Sequence, residues 1–194
     1  MTEHAAAGSA SDARARIVEA GVRCITREGL AGASMAAIAL EGGVSKALLH
    51  YHYHDRATLL AEVVERIGAR VIGRERAALD HPGDATGLDA LWRWLDDELQ
   101  RGELASVVEL ALVREASIRT ATRAVAIHRR RSGARTIEHL FAQLNLTPRM
   151  PAALMAEASV AFIDGVALDV SNGALRDPRV SFDIFWLALL GLTE

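Results

Sequence analysis

Apolar residues recur at three- and four-residue intervals along most of the chain, the spacing of one buried helix face. Ile17, Ala20, Val22, Cys24 and Ile25 mark a first helix over about 11–28, with Ser11 as N-cap and Gly29 past its end. Ser34 opens a short second helix over about 34–41, in which Met35, Ile38 and Ala39 share a face. Gly42-Gly43 breaks it. Ser45 caps a short third helix, and Val44, Leu49 and Tyr53 close a small core with the first two. A long fourth helix, about 55–79, carries the stripe Leu59, Leu60, Val63, Val64, Ile67 and Val71.

The segment His81-Pro82-Gly83-Asp84 is the clearest break in the pattern. A helix over about 86–101 follows, with Leu88, Leu91, Trp92, Leu95 and Leu99 on one stripe, and Gly102 separates it from Leu104–Val113. A long helical stretch then runs to about Leu144. Asn145–Pro151 breaks the chain again, and helix eight covers about 151–171. Asp177-Pro178 opens a last helix whose Phe182, Ile184, Phe185, Trp186, Leu187, Leu189 and Leu190 make it apolar nearly all round. β-branched runs and hairpin signals are scarce, so the pattern predicts an all-α protein.

Composition narrows the class. With 194 residues, 51% of them hydrophobic, the chain can bury a real core. One cysteine, Cys24, excludes an internal disulfide framework and suits a reducing cytoplasm. No apolar run reaches the length of a membrane span. No basic segment followed by an apolar core opens the chain, so no signal peptide is expected, and the small, polar residues 1–10 read as a disordered tail. The expected location is cytoplasmic.

The chemistry concentrates in Gly43-Val44-Ser45-Lys46-Ala47-Leu48-Leu49-His50-Tyr51-His52-Tyr53. Helix, glycine turn and short helix is the layout of a helix-turn-helix, whose second helix enters the DNA major groove. Lys46 is the only lysine of the chain. With Arg56 it opposes only Asp55 across residues 43–56, so a locally cationic face survives a net charge of −3.

The flanks extend the motif. Arg14, Ile17 and Ala20 precede Glu28-Gly29; Ser34, Ile38-Ala39 and Gly43-Val44-Ser45 follow; His54-Asp55-Arg56 then leads to Leu59-Leu60. This ordered series resembles the N-terminal domain of the tetracycline-repressor (TetR) family of transcriptional regulators, closely over about residues 13 to 60. The resemblance implies an N-terminal three-helix helix-turn-helix DNA-binding domain at 11–54. It implies a C-terminal helical ligand-binding and dimerisation domain at 55–194. It further implies a non-enzymatic, cytoplasmic homodimer that binds a double-stranded DNA operator, roughly palindromic. A small-molecule effector would release that operator, with repression the family's usual output. The competing reading is a helical enzyme or carrier that uses the body cavity and keeps a vestigial head.

Residue by residue, the expected DNA contacts are Ser34, Ser45, Lys46, Ala47, His50, Tyr51, His52 and Arg56, the last as a phosphate contact. Ala47 stands where the family commonly has glycine, His50 where it has tyrosine, and Leu48 where it has a small polar residue. These departures bear on which DNA sequence is read. In the body, Trp92, Trp94, Val108, Glu109, Leu112, Phe162 and Asp164 are the expected ligand-binding residues. Polar groups among apolar ones orient ligands, and Trp94 lies off its helix's main stripe. Val160, Val166, Phe182, Phe185, Trp186 and Leu189 are the expected dimer interface, because so apolar a last helix does not suit a monomer surface.

Residues 114–135 hold seven arginines against Glu115 and read as a solvated face, the sharper alternative being attraction of an anionic effector or reinforcement near DNA. His50 and His54, four residues apart, could share a helix face, but His54 falls at or beyond the helix end and no third ligand is close in sequence, so no metal is expected. No cofactor is expected either. Gly-rich phosphate loops, Gly-x-Ser-x-Gly and His-Glu-x-x-His are absent, so no catalytic role is assigned.

Overall fold

The computed structural model describes residues 3–81 and 86–192, with side chains from residue 12 onward. Those residues form α1 (Glu3–Gly32), α2 (Met35–Glu41), α3 (Lys46–His52), α4 (Arg56–Asp80), α5 (Gly87–Arg101), α6 (Glu103–Ala111), α7 (Ala116–Gln143), α8 (Ala152–Ser171) and α9 (Pro178–Leu190). Helix α1 starts well before the expected boundary, and Ser11 lies within it rather than capping it. The alanine-rich run Ala5–Ala7 has the highest helix propensity available and extends the helix backwards. At its other end, Gly29 leaves helical geometry with φ 67° and ψ −173°. Of the expected tail, residues 1 and 2 lie outside the described chain, as does most of the Pro82 break.

Among the described residues, five polar caps set helix starts, the last being Asp177, whose Oδ1 accepts the Val180 N–H at 3.3 Å ahead of α9. Ser34 Oγ accepts the Ala37 N–H at 3.1 Å and Ser45 Oγ that of Leu48 at 3.1 Å. Asp55 Oδ1 accepts the Thr58 N–H at 2.7 Å, and Thr86 Oγ1 that of Asp89 at 3.2 Å. Each satisfies a donor that the first turn leaves orphaned, worth ~1 kcal/mol.

Helices α1 to α3 form the head around Ile17, Val18, Ile38, Leu49 and Tyr53, all buried. Helix α4 serves two cores. Its first turns pack Leu59, Leu60 and Val63 under the head; farther on, Ile67, Val71 and Leu79 enter the body. There α4 lies against α7, and α7 against α8, while α5, α6 and α9 cover the flanks.

The close α4–α7 crossing depends on Gly68. A Cβ there would stand 2.5 Å from Val125 Cγ2. Gly68→Ala should therefore destabilise the protein. Overpacking costs about 1–3 kcal/mol, against about 1 kcal/mol gained in helix propensity. Chemical denaturation should show the penalty shrinking in a Val125→Ala background. Equal penalties in both backgrounds would mean that Val125 is not what meets the added methyl.

Candidate nucleic-acid interface and effector cavity

The α2–α3 turn is tight because Gly43 takes φ 60°, which an L side chain resists. The Val44 N–H then donates to the Ala39 carbonyl at 3.0 Å, and Ser45 starts α3. Leu49 and Tyr53 point into the head, so the opposite side of α3 is left to solvent. Lys46, Ala47, His50 and Tyr51 are exposed there, Tyr51 at 80%, while Leu48 and His52 are half-buried. Leu40, at the end of α2, is also exposed. Ser34 and Ser45 are exposed, with their hydroxyls occupied as caps.

Two anchors seat this surface. The Tyr53 hydroxyl donates to Glu62 Oε2 at 2.7 Å, and Arg14 donates to both oxygens of the same carboxylate. Burial pushes Glu62 up, but the Arg14 and Tyr53 hydrogen bonds outweigh it and hold the carboxyl below its usual range. Arg56 is the second anchor. Its Nε donates to the Ala33 carbonyl at 2.8 Å and its Nη2 to that of Leu30. Arg56, expected as a phosphate contact, also closes the α1–α2 corner with its guanidinium, because the helix ends there leave carbonyls unpaired.

The body encloses a cavity of ≈ 20 Å³ among α4, α5, α7, α8 and α9. Leu91, Ile137, Val160, Ile163 and Trp186 give it apolar walls; Glu75, Trp94, Arg129, Thr136 and Ser159 are its polar members. Arg129, only 5% exposed, pairs with Asp164. Thr136 Oγ1 donates to Glu75 Oε1 at 2.9 Å. Burial pushes the Glu75 carboxyl up, against the Thr136 hydrogen bond and the charges of Arg129 and Arg135. A separate open groove of ≈ 360 Å³ between α4 and α5 is lined by Arg74, Ala77, Ala78, Ala90, Trp94 and Glu98, among others.

Of the expected ligand-binding residues, Trp94 lines both spaces and Asp164 reaches the cavity through Arg129. The rest sit elsewhere. Leu112 ends α6 at 76% exposure, and Val108 and Glu109 are half-buried outside the cavity wall. Trp92 packs edge-on against Phe182 beneath Arg179, and Phe162 stacks on Phe185 with centroids 4.2 Å apart. Helix α5 is turned relative to the expected stripe. It buries Ala90, Leu91, Trp94, Leu95 and Glu98, because Glu98 follows Arg74 inward as an ion pair. Hydrophobic spacing carries no signal for such a face, and so Glu75, Arg129, Thr136 and Ser159 were also missed.

The expected dimer residues need a similar correction. Phe182, Trp186 and Leu189 are buried within the chain itself, as are Val160 and Val166, and Phe185 is half-buried. They have little exposure left to lose on association. The apolar side chains that α8 and α9 leave in solvent are Leu154, Val180, Ile184 and Leu187. On α8, Ala158, Ala161 and Gly165 continue that face with small residues.

Residues 17–63 match the model of the bacterial regulatory proteins of the tetR family. That segment is therefore similar to the DNA-binding head of TetR-family regulators. The fold as a whole is similar to that of solved regulators. A putative TetR-family regulator from Rhodococcus sp. superposes with a TM-score of 0.73 at 21% identity, over 95% of this chain and 100% of that one. The reduced form of NemR from E. coli gives 0.74 at 13%, over 94% and 97%. A putative transcriptional regulator from Pseudomonas aeruginosa PAO1 gives 0.66 at 25%, over 92% and 89%. No curated protein sequence matches the chain. These likenesses are to transcriptional regulators. Among the described residues, no helix is long and apolar enough to cross a membrane.

The buried carboxyl of the body has a measurable consequence. Folding raises the Glu75 pKa, so the native state keeps a proton that the unfolded chain gives up. Its contribution to stability is complete below the ordinary carboxylate range and is lost as pH rises towards the raised value. Thermal unfolding across pH should show this decline in the wild-type protein and a flatter profile in Glu75→Gln, which keeps a partner for Thr136. Identical profiles would contradict a carboxyl destabilised by burial.

Proposed function

We propose that the chain is a homodimeric repressor that places two copies of α3 on a roughly palindromic DNA operator and leaves it when a small molecule enters the body. The observation that carries the DNA reading is the exposed face Lys46-Ala47-His50-Tyr51, held by Leu49 and Tyr53 on a packed head. Lysine and the Tyr51 hydroxyl suit phosphates, and the partly buried Leu48 suits a thymine methyl at the groove floor. His50 and His52 add hydrogen-bonding groups beside them. Ser34 and Ser45 bring the N-termini of α2 and α3 towards the backbone. Residues 11–54 serve as the DNA-binding head and 55–194 as the sensing and pairing body.

Duplexes selected by binding from a random library give a direct test. Lys46→Ala should weaken binding to every selected sequence and lower the salt slope by about one unit per half-site. Tyr51→Phe should weaken binding while folding is unchanged. Arg56→Ala should lower the melting temperature as well, since it frees two carbonyls. If Lys46→Ala and Tyr51→Phe both bind like the wild type, α3 is not the reading helix.

Pairing is supported by the exposed apolar face of α8 and α9, where Leu154, Val180, Ile184 and Leu187 would remain in water on a monomer. A two-fold axis there would match two heads to two half-sites. Ile184→Glu and Leu187→Glu should each give monomers in sedimentation and lose tight duplex binding, with helicity retained. A wild-type chain that sediments as a monomer at micromolar concentration would rule out this arrangement.

A further inference from the structure

The body cavity has an unusual balance of polar groups. Its one full cation, Arg129, is committed to Asp164. Ser159 Oγ donates to the Met155 carbonyl at 2.8 Å, and Thr136 Oγ1 to Glu75 Oε1. Two groups remain. The Trp94 indole Nε1–H is buried with no acceptor among the described residues. The Glu75 carboxyl has spent one oxygen on Thr136, and burial favours its protonated form, which turns the other oxygen into a donor. The cavity therefore offers two donors and no free charge. A buried donor without an acceptor is costly, and an incoming acceptor recovers that cost.

Size points to the entry route. The closed space of ≈ 20 Å³ holds about one water. The α4–α5 groove, ≈ 360 Å³, is wide enough for an organic molecule but open to solvent. Trp94 lines both, so a swing of its indole would join them into one partly enclosed site.

We propose that Trp94 is the gate and the polar anchor of the effector site, and that this site takes an uncharged molecule with a flat apolar frame and a carbonyl-type oxygen, accepting from Trp94 Nε1–H and the Glu75 carboxyl. The frame lies against Leu91, Ile137, Val160 and Ile163. Within the cavity an anionic ligand meets no uncommitted cation and an ammonium group brings donors to donors; the Asp97 carboxylate lines only the outer groove, where it is exposed to water. The proposal rests on the effector-binding reading above.

Three molecules of one shape separate the cases: acetophenone, 1-phenylethylamine and benzoate. Each is titrated into the full-length protein, with the tryptophan indole N–H resonances followed by NMR. Acetophenone should move the Trp94 N–H proton downfield saturably, with the millimolar-range affinity expected of so small a ligand. The amine and benzoate should bind at least ten-fold more weakly. Trp94→Phe should abolish the acetophenone response in ring-proton saturation transfer, and Glu75→Leu, which fills the same space, should weaken binding by about ten-fold. Both variants are checked by circular dichroism, and either one that folds decides the case.

Two results would overturn the proposal: no Trp94 N–H shift up to the solubility of acetophenone, or an amine or benzoate that binds as well. A different molecule that releases a selected duplex without moving the Trp94 resonance would also overturn it, and would leave the regulator reading intact. Acetophenone binding in a protein that selects no duplex would do the reverse.

Discussion

One continuous helix has to satisfy two hydrophobic cores at once. Helix α4 runs 25 residues, about 37 Å at the usual rise. Its stripe Leu59, Leu60, Val63, Ile67 and Val71 is buried without interruption from the head into the body. A break or rotation within it would expose one core in order to keep the other. The closest approach, Gly68 against Val125, fixes where α7 crosses, and α7 in turn positions α8. The placement of the α3 surface relative to the cavity follows from these contacts.

The polar edge of α4 strengthens the same connection. Arg66 and Arg70 bond Glu19 of α1, Arg70 also reaches Glu103 of α6, and Arg74 bonds Glu103 and Glu98. A single exposed ion pair contributes little, about 0–1 kcal/mol. Here the carboxylates are shared between arginines, and Glu98 is fully buried. Holding one side chain orders the next, so the chain of pairs ties head, connector and body more firmly than isolated bridges would. Burying Glu98 also turns α5 so that Trp94, rather than Trp92, faces the cavity.

The helical body hides its chemistry inside a face that hydrophobicity cannot report. Helix α7 buries Thr122, Arg129, Ser132, Gly133 and Thr136 along with Ile118, Val125 and Ile137. Arg129 and Thr136 are tolerated because of partners on other helices, Asp164 and Glu75, while Thr122 donates to the Arg119 carbonyl of its own helix. Seven arginines within 114–135 read as a solvated surface, and most of them are exposed, yet the one that turns inward is the one that borders the cavity.

The sequence by itself determined the order of the helices, the serine caps of α2 and α3, the glycine turn between them, and the family resemblance of residues 13 to 60. Those features depend on local chemistry: an N-cap serine, a positive-φ glycine or an i, i+3, i+4 stripe acts within a few residues of itself. The side of α5 and α9 that faces inward, the second duty of Arg56 and the cavity polar set were decided only by the tertiary structure. Each depends on a partner distant in sequence, Arg56 on Leu30 and Ala33, Glu98 on Arg74, Arg129 on Asp164. The apolar last helix shows the same limit. Its composition demanded burial on nearly every side, but only the packed body settled that Phe182, Trp186 and Leu189 are covered from within while Ile184 and Leu187 are left facing out.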